Sequence, residues 1–365
     1  MKRYTQSLRH RRYIRRRAKR SLAARLRFKH YRRQKNREEL GLPDPALKLR
    51  HQFQHNAIPF TKVKAPEILS LIRSPEEVAK FIAQLKDCFD TKKPVFVALS
   101  HVREIDYDGI TVLLSVVVRF KSKRIQFNGD YPHDMHVRKT LEESGFFRHL
   151  LKSKFDDQDT YDLTSKSSIH THAMRKVDSK LGEKIIESAS KVVWGEKRRC
   201  PGVQRTLIEL MQNTNNHASL ESEEEKHWWV SVRHNQSDKR VEFSFVDYGV
   251  GVFYSLKNKR YDSKFFGILD VLYNRVRHGN NADVLKLIFE GELHRSATGK
   301  TYRGKGLPGI YEAFQRNKIS NFAMITNDVY YNSREKEFRI LKNEFQGTFV
   351  YWELTTQNDS LPHEN

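Results

Sequence analysis

The sequence predicts a mixed chain, α/β in its first half and α+β in its second, behind a strongly basic N-terminal arm. Three observations carry this prediction. Between about residues 58 and 150, short apolar runs alternate with amphipathic helical stretches; beyond residue 183, alternating strands joined by polar turns set in; and positive charge is crowded into the first 37 residues. With 365 residues and 38% hydrophobic side chains, the chain is long enough for two or three cores.

Residues 1–37 hold 13 Arg and 4 Lys and no acid, so 17 of the net +23 charges lie there and the other 328 residues carry only +6. Leu8, Ile14, Leu22, Leu26 and Phe28 form no stripe of helical period among Arg11, Arg12, Arg15, Arg16, Arg17, Lys19 and Arg20. Residues 1–40 therefore read as a basic arm that grips phosphates through counterion release, with nucleic acid, DNA or RNA, as its expected partner. A solvated tail, or docking on an acidic protein, is the plainer alternative. An organelle transit peptide fits poorly, since arginine is too dense and serine too sparse. Two cysteines, Cys88 and Cys200, make no disulfide framework and fit a reducing cytoplasm. The apolar run at 110–118 falls short of the ~20 residues that cross a bilayer, and the N-terminus lacks an apolar signal core. A cytoplasmic chain without a membrane span is expected.

After LGLPDP (40–45), residues 75–88 begin with Pro75 and two acids and place Val78, Phe81, Ile82 and Leu85 at helical spacing. PVFVALS (94–100) reads as a strand, DYDGITVLLSVVVRFKS (106–122) as a turn feeding a buried helix, and RIQFNG (124–129) as a second strand. This order, with the Asp106-Tyr107-Asp108-Gly109 turn and the later phrase Glu143-Ser144-Gly145-Phe146, resembles the STAS domain of anti-anti-sigma factors over residues 58–150. In that family a hydroxyl just before the glycine is phosphorylated by a partner kinase. Asp108 stands there instead, so the resemblance implies fixed negative charge rather than a phosphorylation switch. The alternative is that Asp106 or Asp108 caps the helix beginning near Ile110. The unit then reads as a module that docks a protein partner or forms a homodimer.

Residues 151–182, rich in Ser, Thr, Asp and Lys, read as a linker. His170 and His172 lie in that polar stretch without further ligands at suitable spacing, so no metal is expected there.

In LIELMQNTNNHA (207–218), Glu209, Asn213, Asn216 and His217 share one helical face, while Leu207, Leu210, Met211 and Ala218 share the other. Alone, such a stripe reads as a wet surface. Three later stretches change its meaning. VEFSFVDYGVGV (241–252) is an alternating strand ending in Asp247-x-Gly249-x-Gly251, where glycines let a ligand approach the backbone and a strand-end carboxylate can accept from an amine. YRGKGLPGI (302–310) is a glycine-rich loop entering a helix, offering backbone N–H groups and Lys305 to phosphates. QGTFVYWEL (346–354) is a terminal strand opened by Gly347 and Thr348.

Together, in this order, they resemble the GHKL ATPase fold of gyrase, histidine kinases, heat-shock chaperones, MutL proteins and anti-sigma kinases over residues 183–356, a two-layer α/β sandwich with a mixed sheet. The resemblance implies ATP and Mg²⁺ as cofactors. It makes Asn213 the magnesium ligand, Glu209 the general base, Asp247 the partner of the adenine amine with Thr348 in support, and Gly249 and Gly251 the walls of the base pocket. Gly304, Lys305, Gly306 and Leu307 would lie over the phosphates, with His217 either contacting phosphate or bonding nearby backbone. Residues 252–303, with helix-like stretches at 262–278 and 282–291, would be a lid or an ordinary packed insertion.

Three functions follow: an ATP-driven switch with slow hydrolysis that controls a partner or nucleic acid, an anti-sigma-type serine/threonine kinase acting on a separate STAS-like protein, or a non-catalytic ATP-binding module. The pairing of the two resemblances implies a bacterial regulator or defence component. A conventional sensor histidine kinase is disfavoured, since Glu209 suits hydrolysis or serine phosphorylation and no phosphoacceptor-histidine helix is evident.

Overall fold

In the computed structural model, residues 59–146, 167–172, 177–217, 228–258, 267–277, 279–292, 306–358 and 361–362 are described. The basic arm with Arg11, Arg12, Arg15, Arg16, Arg17, Lys19 and Arg20 lies outside them, as do Gly304 and Lys305. Phe60–Asn365 forms one compact unit.

The first part of that unit runs β1 (Thr61–Lys64), β2 (Ile68–Leu69), α1 (Pro75–Asp90), β3 (Val95–Ala98), β4 (Glu104–Ile105), α2 (Tyr107–Ser122), β5 (Phe127–Gly129) and α3 (Met135–Glu143). Strands β1, β3 and β5 pair in parallel, as expected where helices carry each crossover. Helix α1 starts with Pro75 in its first turn beside Glu76 and Glu77, which suit the positive helix end, and its predicted stripe Val78, Phe81, Ile82 and Leu85 is buried. In α2 every residue from Asp108 to Val118 is buried. A helix apolar all round needs cover on all sides, and the second half of the chain supplies it.

That half runs β6 (Ser167–His172), α4 (Ser179–Trp194), β7 (Arg198–Arg199), α5 (Pro201–His217), β8 (Trp228–Asn235), β9 (Arg240–Asp247), α6 (Gly251–Lys257), α7 (Ile268–Arg275), α8 (Asn281–Phe289), α9 (Leu307–Gln315), β10 (Ser320–Asn332), β11 (Glu337–Thr355) and β12 (Leu361–Pro362). Its five-stranded sheet has the order β10-β11-β9-β8-β6. Every neighbouring pair in it is antiparallel, so among the described residues the mixed sheet expected here is replaced by an antiparallel one and parallel pairing is confined to the N-terminal strands. Residues 167–172, read as part of a linker, are its edge strand. Helix α4 begins inside the same stretch, with the Asp178 side chain accepting from Leu181 N and Gly195 closing the helix in the left-handed conformation.

Alternation splits the sheet residues between two cores. Trp228, Val230, Val232, Val241, Phe243, Phe245 and Trp352 pack with helices α4 to α9. Trp229, Val246, Ile325, Tyr330, Phe345 and Phe349 pack instead with α1, α2 and the three-stranded sheet. Beyond residue 183 the antiparallel sheet carries helices α4 to α9 on one face, and its other face is covered by α1 and α2 with the parallel sheet beyond them. The segment 252–303, expected as a lid or a packed insertion, contributes Leu256, Ile268, Leu269, Leu272, Val284, Leu285, Ile288 and Phe289 to the helix-side core. No helix among the described residues is long and apolar enough to cross a membrane.

Candidate functional site

The pairing registers place Trp228, Asp247, Thr348 and Thr326 in one row across the sheet. Phe243, Phe245 and Asp247 share a face by alternation, so the row's carboxylate enters the helix-side layer at the strand end, where the apolar core stops. Asp247 is 8% exposed. Its Oδ1 accepts from Gly249 N at 2.7 Å, and Thr214 Oγ1 lies 3.2 Å from its Oδ2. The same threonine hydroxyl is 3.1 Å from the Leu210 carbonyl. It has one proton for two acceptors. Burial pushes the Asp247 carboxyl up to about 6, against the lowering effect of the Gly249 amide and Thr214. Near neutral pH this is an ionised acceptor held in a largely apolar surround.

The loop after Asp247 is clamped from β10. Thr326 Oγ1 accepts from Val252 N at 2.9 Å and lies 3.5 Å from Thr348 Oγ1; Asn327 Oδ1 accepts from Phe253 N at 3.2 Å, while its Nδ2 donates to the Val250 carbonyl at 2.9 Å and to Glu344 Oε1 at 3.0 Å. Gly251 has φ +74°, and a Cβ there would sit 2.3 Å from Asn327 Oδ1. Gly347, φ +107°, comes so near that its Cβ would meet the Asp247 carbonyl oxygen at 2.0 Å. Both glycines fix the loop by closeness: Gly251 starts α6 under Asn327, and Gly347 lets β11 press on the strand end.

Helix α5 reaches a second loop. Glu209 and Asn213 are both half-buried on its polar face, while Leu207, Leu210 and Met211 are buried opposite, as the spacing predicts. Glu209 Oε2 accepts from Gly306 N at 2.9 Å, and Gly306 is the N-cap of α9. One helix thus meets the glycine-rich loop through Glu209 and the strand end through Thr214. Leu307 is buried in the helix-side core rather than lining the loop. The side chains of Asn216 and His217 lie outside the described residues.

Sequence reasoning missed Thr214, Thr326 and Asn327. Thr214 stood inside the polar stretch QNTNN, and Thr326-Asn327 ended the apolar run NFAMIT; each was visible only as a polar residue closing an apolar pattern. Among the described residues, no group of three His, Cys, Asp or Glu is gathered for a metal. The oxygen donors Glu209 and Asn213 on one helical face are of the kind Mg²⁺ prefers when it keeps waters and substrate oxygens as its other ligands. A separate cavity of about 410 Å³ is lined by Lys257, Asp270, Tyr273, Asp328 and Glu344 among others, and by none of Glu209, Asn213 or Asp247.

The turn before α2 keeps part of the capping alternative. Asp106 occupies the N-cap position without a cap bond, and its carboxylate takes Arg73 Nε at 2.9 Å. Asp108 is buried inside the first turn. It accepts from Gly109 N at 2.8 Å, so it does serve one first-turn amide, and from Ser70 Oγ and Ile72 N at 3.1 Å each. Burial, then the neighbouring Asp106, push its carboxyl up to about 7. The position is an internal anchor to the loop after β2.

No family model, curated protein or solved structure matches the chain.

Proposed function

We propose that the chain is an Mg·ATP-binding regulatory protein whose slow ATP hydrolysis drives a conformational switch controlling a partner or nucleic acid. The observation that carries this reading is the buried Asp247 carboxylate at a strand end, bonded to Thr214 and Gly249 and in register with Thr348. A desolvated acceptor of this kind favours a ligand bringing an amine donor over one that does not. In the proposed site Asp247 accepts from the adenine amino group, with Thr348 beside it. The Gly306 amide, which donates to Glu209 Oε2 in the structure, would turn to a phosphate oxygen and release that carboxylate. Asn213 would hold Mg²⁺, which would supply charge neutralisation at the phosphates. Glu209, on the same helical face, takes the proton of the attacking water.

A serine kinase acting on a separate STAS-like protein is the second reading, favoured by Glu209, which suits a hydroxyl as well as water. The turn of the fused module offers no acceptor hydroxyl before Gly109, where the buried Asp108 stands. Labelled ATP with Mg²⁺, with and without DNA or RNA, separates the readings. Released phosphate is expected for the switch, a labelled partner protein for the kinase, and binding without turnover for a non-catalytic module. Glu209→Ala is expected to keep the heat of Mg·ATP binding and to lower turnover at least a hundredfold; unchanged turnover removes Glu209 as the base.

A further inference from the structure

Tyr248, between Asp247 and Gly249, points the opposite way from the site. Alternation sends it through the sheet to the face shared with Val246, where it packs on the N-terminal core. Its hydroxyl lies 3.3 Å from the Val112 carbonyl of α2. Its ring lies 6.0 Å from that of Phe345, and the Arg119 guanidinium of α2 sits 5.1 Å from its centroid and 4.7 Å from that of Phe89 on α1. Burial pushes the phenol up to about 12, so it remains a donor at working pH. Three consecutive residues thus join two layers: Asp247 and the Gly249 amide on one face of the sheet, and Tyr248, held by α2, on the other.

Resting on the nucleotide reading above, we propose that Tyr248 is the positioning residue that couples the Asp247 site to the N-terminal module, through its hydroxyl on Val112 and its ring on Arg119. The loop cannot shift to receive a ligand on Asp247 without moving the side chain that α2 grips. Because α2 is buried along its length and fastened at its start by Asp108 to Ser70 and Ile72, such a shift passes to the helix and to the loop after β2. Coupling is reciprocal, so the docking of α2 sets ligand affinity by the same factor by which the ligand tightens α2. The Val112 carbonyl also accepts from Ser115 Oγ at 2.6 Å, so removing the Tyr248 hydroxyl leaves no orphaned acceptor.

The test uses the full chain. Calorimetric titration with Mg·ATP gives affinity, and amide hydrogen exchange over residues 107–122, with and without Mg·ATP, reads the helix. The unaltered protein is expected to bind and to slow exchange across α2. Tyr248→Phe, which keeps the ring, is expected to weaken binding about fivefold, the order of one net hydrogen bond, and to lose most of the exchange response while melting normally without nucleotide. Arg119→Met, altered on the α2 side alone, is expected to reduce the response in the same direction. Binding with no change in α2 exchange, or a full response in Tyr248→Phe, overturns the coupling and leaves the nucleotide site standing. No binding by the unaltered protein overturns the nucleotide reading and the coupling with it.

Discussion

The two faces of the antiparallel sheet do opposite things with the same alternation. On the helix side the apolar pattern is interrupted at one end, where Asp247, Thr348 and Thr326 line up with Thr214 and the loop amides turn inward. On the other face Trp229, Val246, Ile325, Phe345 and Phe349 form an apolar stretch sealed by α1 and α2, and its charged row, Arg233, Glu242 and Glu353, lies farther along the strands, where Arg233 pairs with Glu242. One face holds chemistry because its cover leaves polar groups together at a strand end. The other has a cover that is itself a folded module. The comparison teaches that the N-terminal module is part of the sheet's core, whereas the site is a local exception to it.

The strongest way to break this contrast is to remove the cover. A chain beginning at residue 167 keeps the edge strand β6 and bares the back face; at roughly 1.5–3 kcal/mol per large apolar side chain, exposing Trp229, Val246, Ile325, Tyr330, Phe345 and Phe349 is of the order of a domain's whole stability. Such a fragment is expected to aggregate or lose its cooperative melt, read by size exclusion and circular dichroism. A well-folded monomer would make the module a mere accessory.

A finer test sets the two buried acids against each other. Asp247 titrates near 6 in the folded chain and near 3.8 unfolded, so the folded state holds the extra proton between those values. Its contribution to stability therefore falls as pH rises from about 4 to about 6, and Asp247→Asn is expected to remove that slope, on the order of 2–3 kcal/mol in urea titrations. Nucleotide affinity should move the other way, tightening as pH rises through 6 and the carboxylate forms, and Asp247→Asn should bind about a hundredfold more weakly. Affinity independent of pH between 5 and 7 would separate Asp247 from the ligand.

The smallest effect on nucleotide binding belongs to Asp108. Its folded value near 7 against 3.8 unfolded makes its contribution fall as pH climbs from about 4 to about 7. Asp108→Asn loses one acceptor toward Gly109 or toward the Ser70 and Ile72 pair, so its gain is partial. The melting temperature of the variant relative to the unaltered chain is expected to rise by a few degrees between pH 5 and pH 8, with Mg·ATP affinity unmoved. A constant difference would mean that Asp108 stays ionised throughout.

The elements that could be read from the sequence are those whose pattern is complete in itself. Helix α1 carries its cap residues and its stripe, α2 its unbroken apolar run, and β8 and β9 their alternation across a polar turn. Helix α4 had a readable signal in Asp178, Leu181, Ile185, Ala189, Val193 and Gly195, but only its first turn falls in the stretch read as a linker by its polar composition, and the rest was given no element of its own. SSIHTH has only weak strand character, and its pairing with β8 decides its state. Glu209 and Asn213 were legible because one helix face collects them. Thr214 was not, since its partner Asp247 lies 33 residues away. Least legible was the cover on the back face: alternation says that Val246 and Phe349 are buried, and nothing local names what buries them.

The seating of α1 and α2 also governs the order in which a ribosome can complete this molecule. Tyr330 donates to the Ile72 carbonyl across 258 residues, and Lys342 N donates to Glu76 across 266. The parallel strands and their two helices leave the exit tunnel first, with their largest greasy surfaces waiting for hairpins synthesised last. Until those hairpins arrive, the early half of the nascent chain is a target for chaperones and for its own neighbours on the polysome.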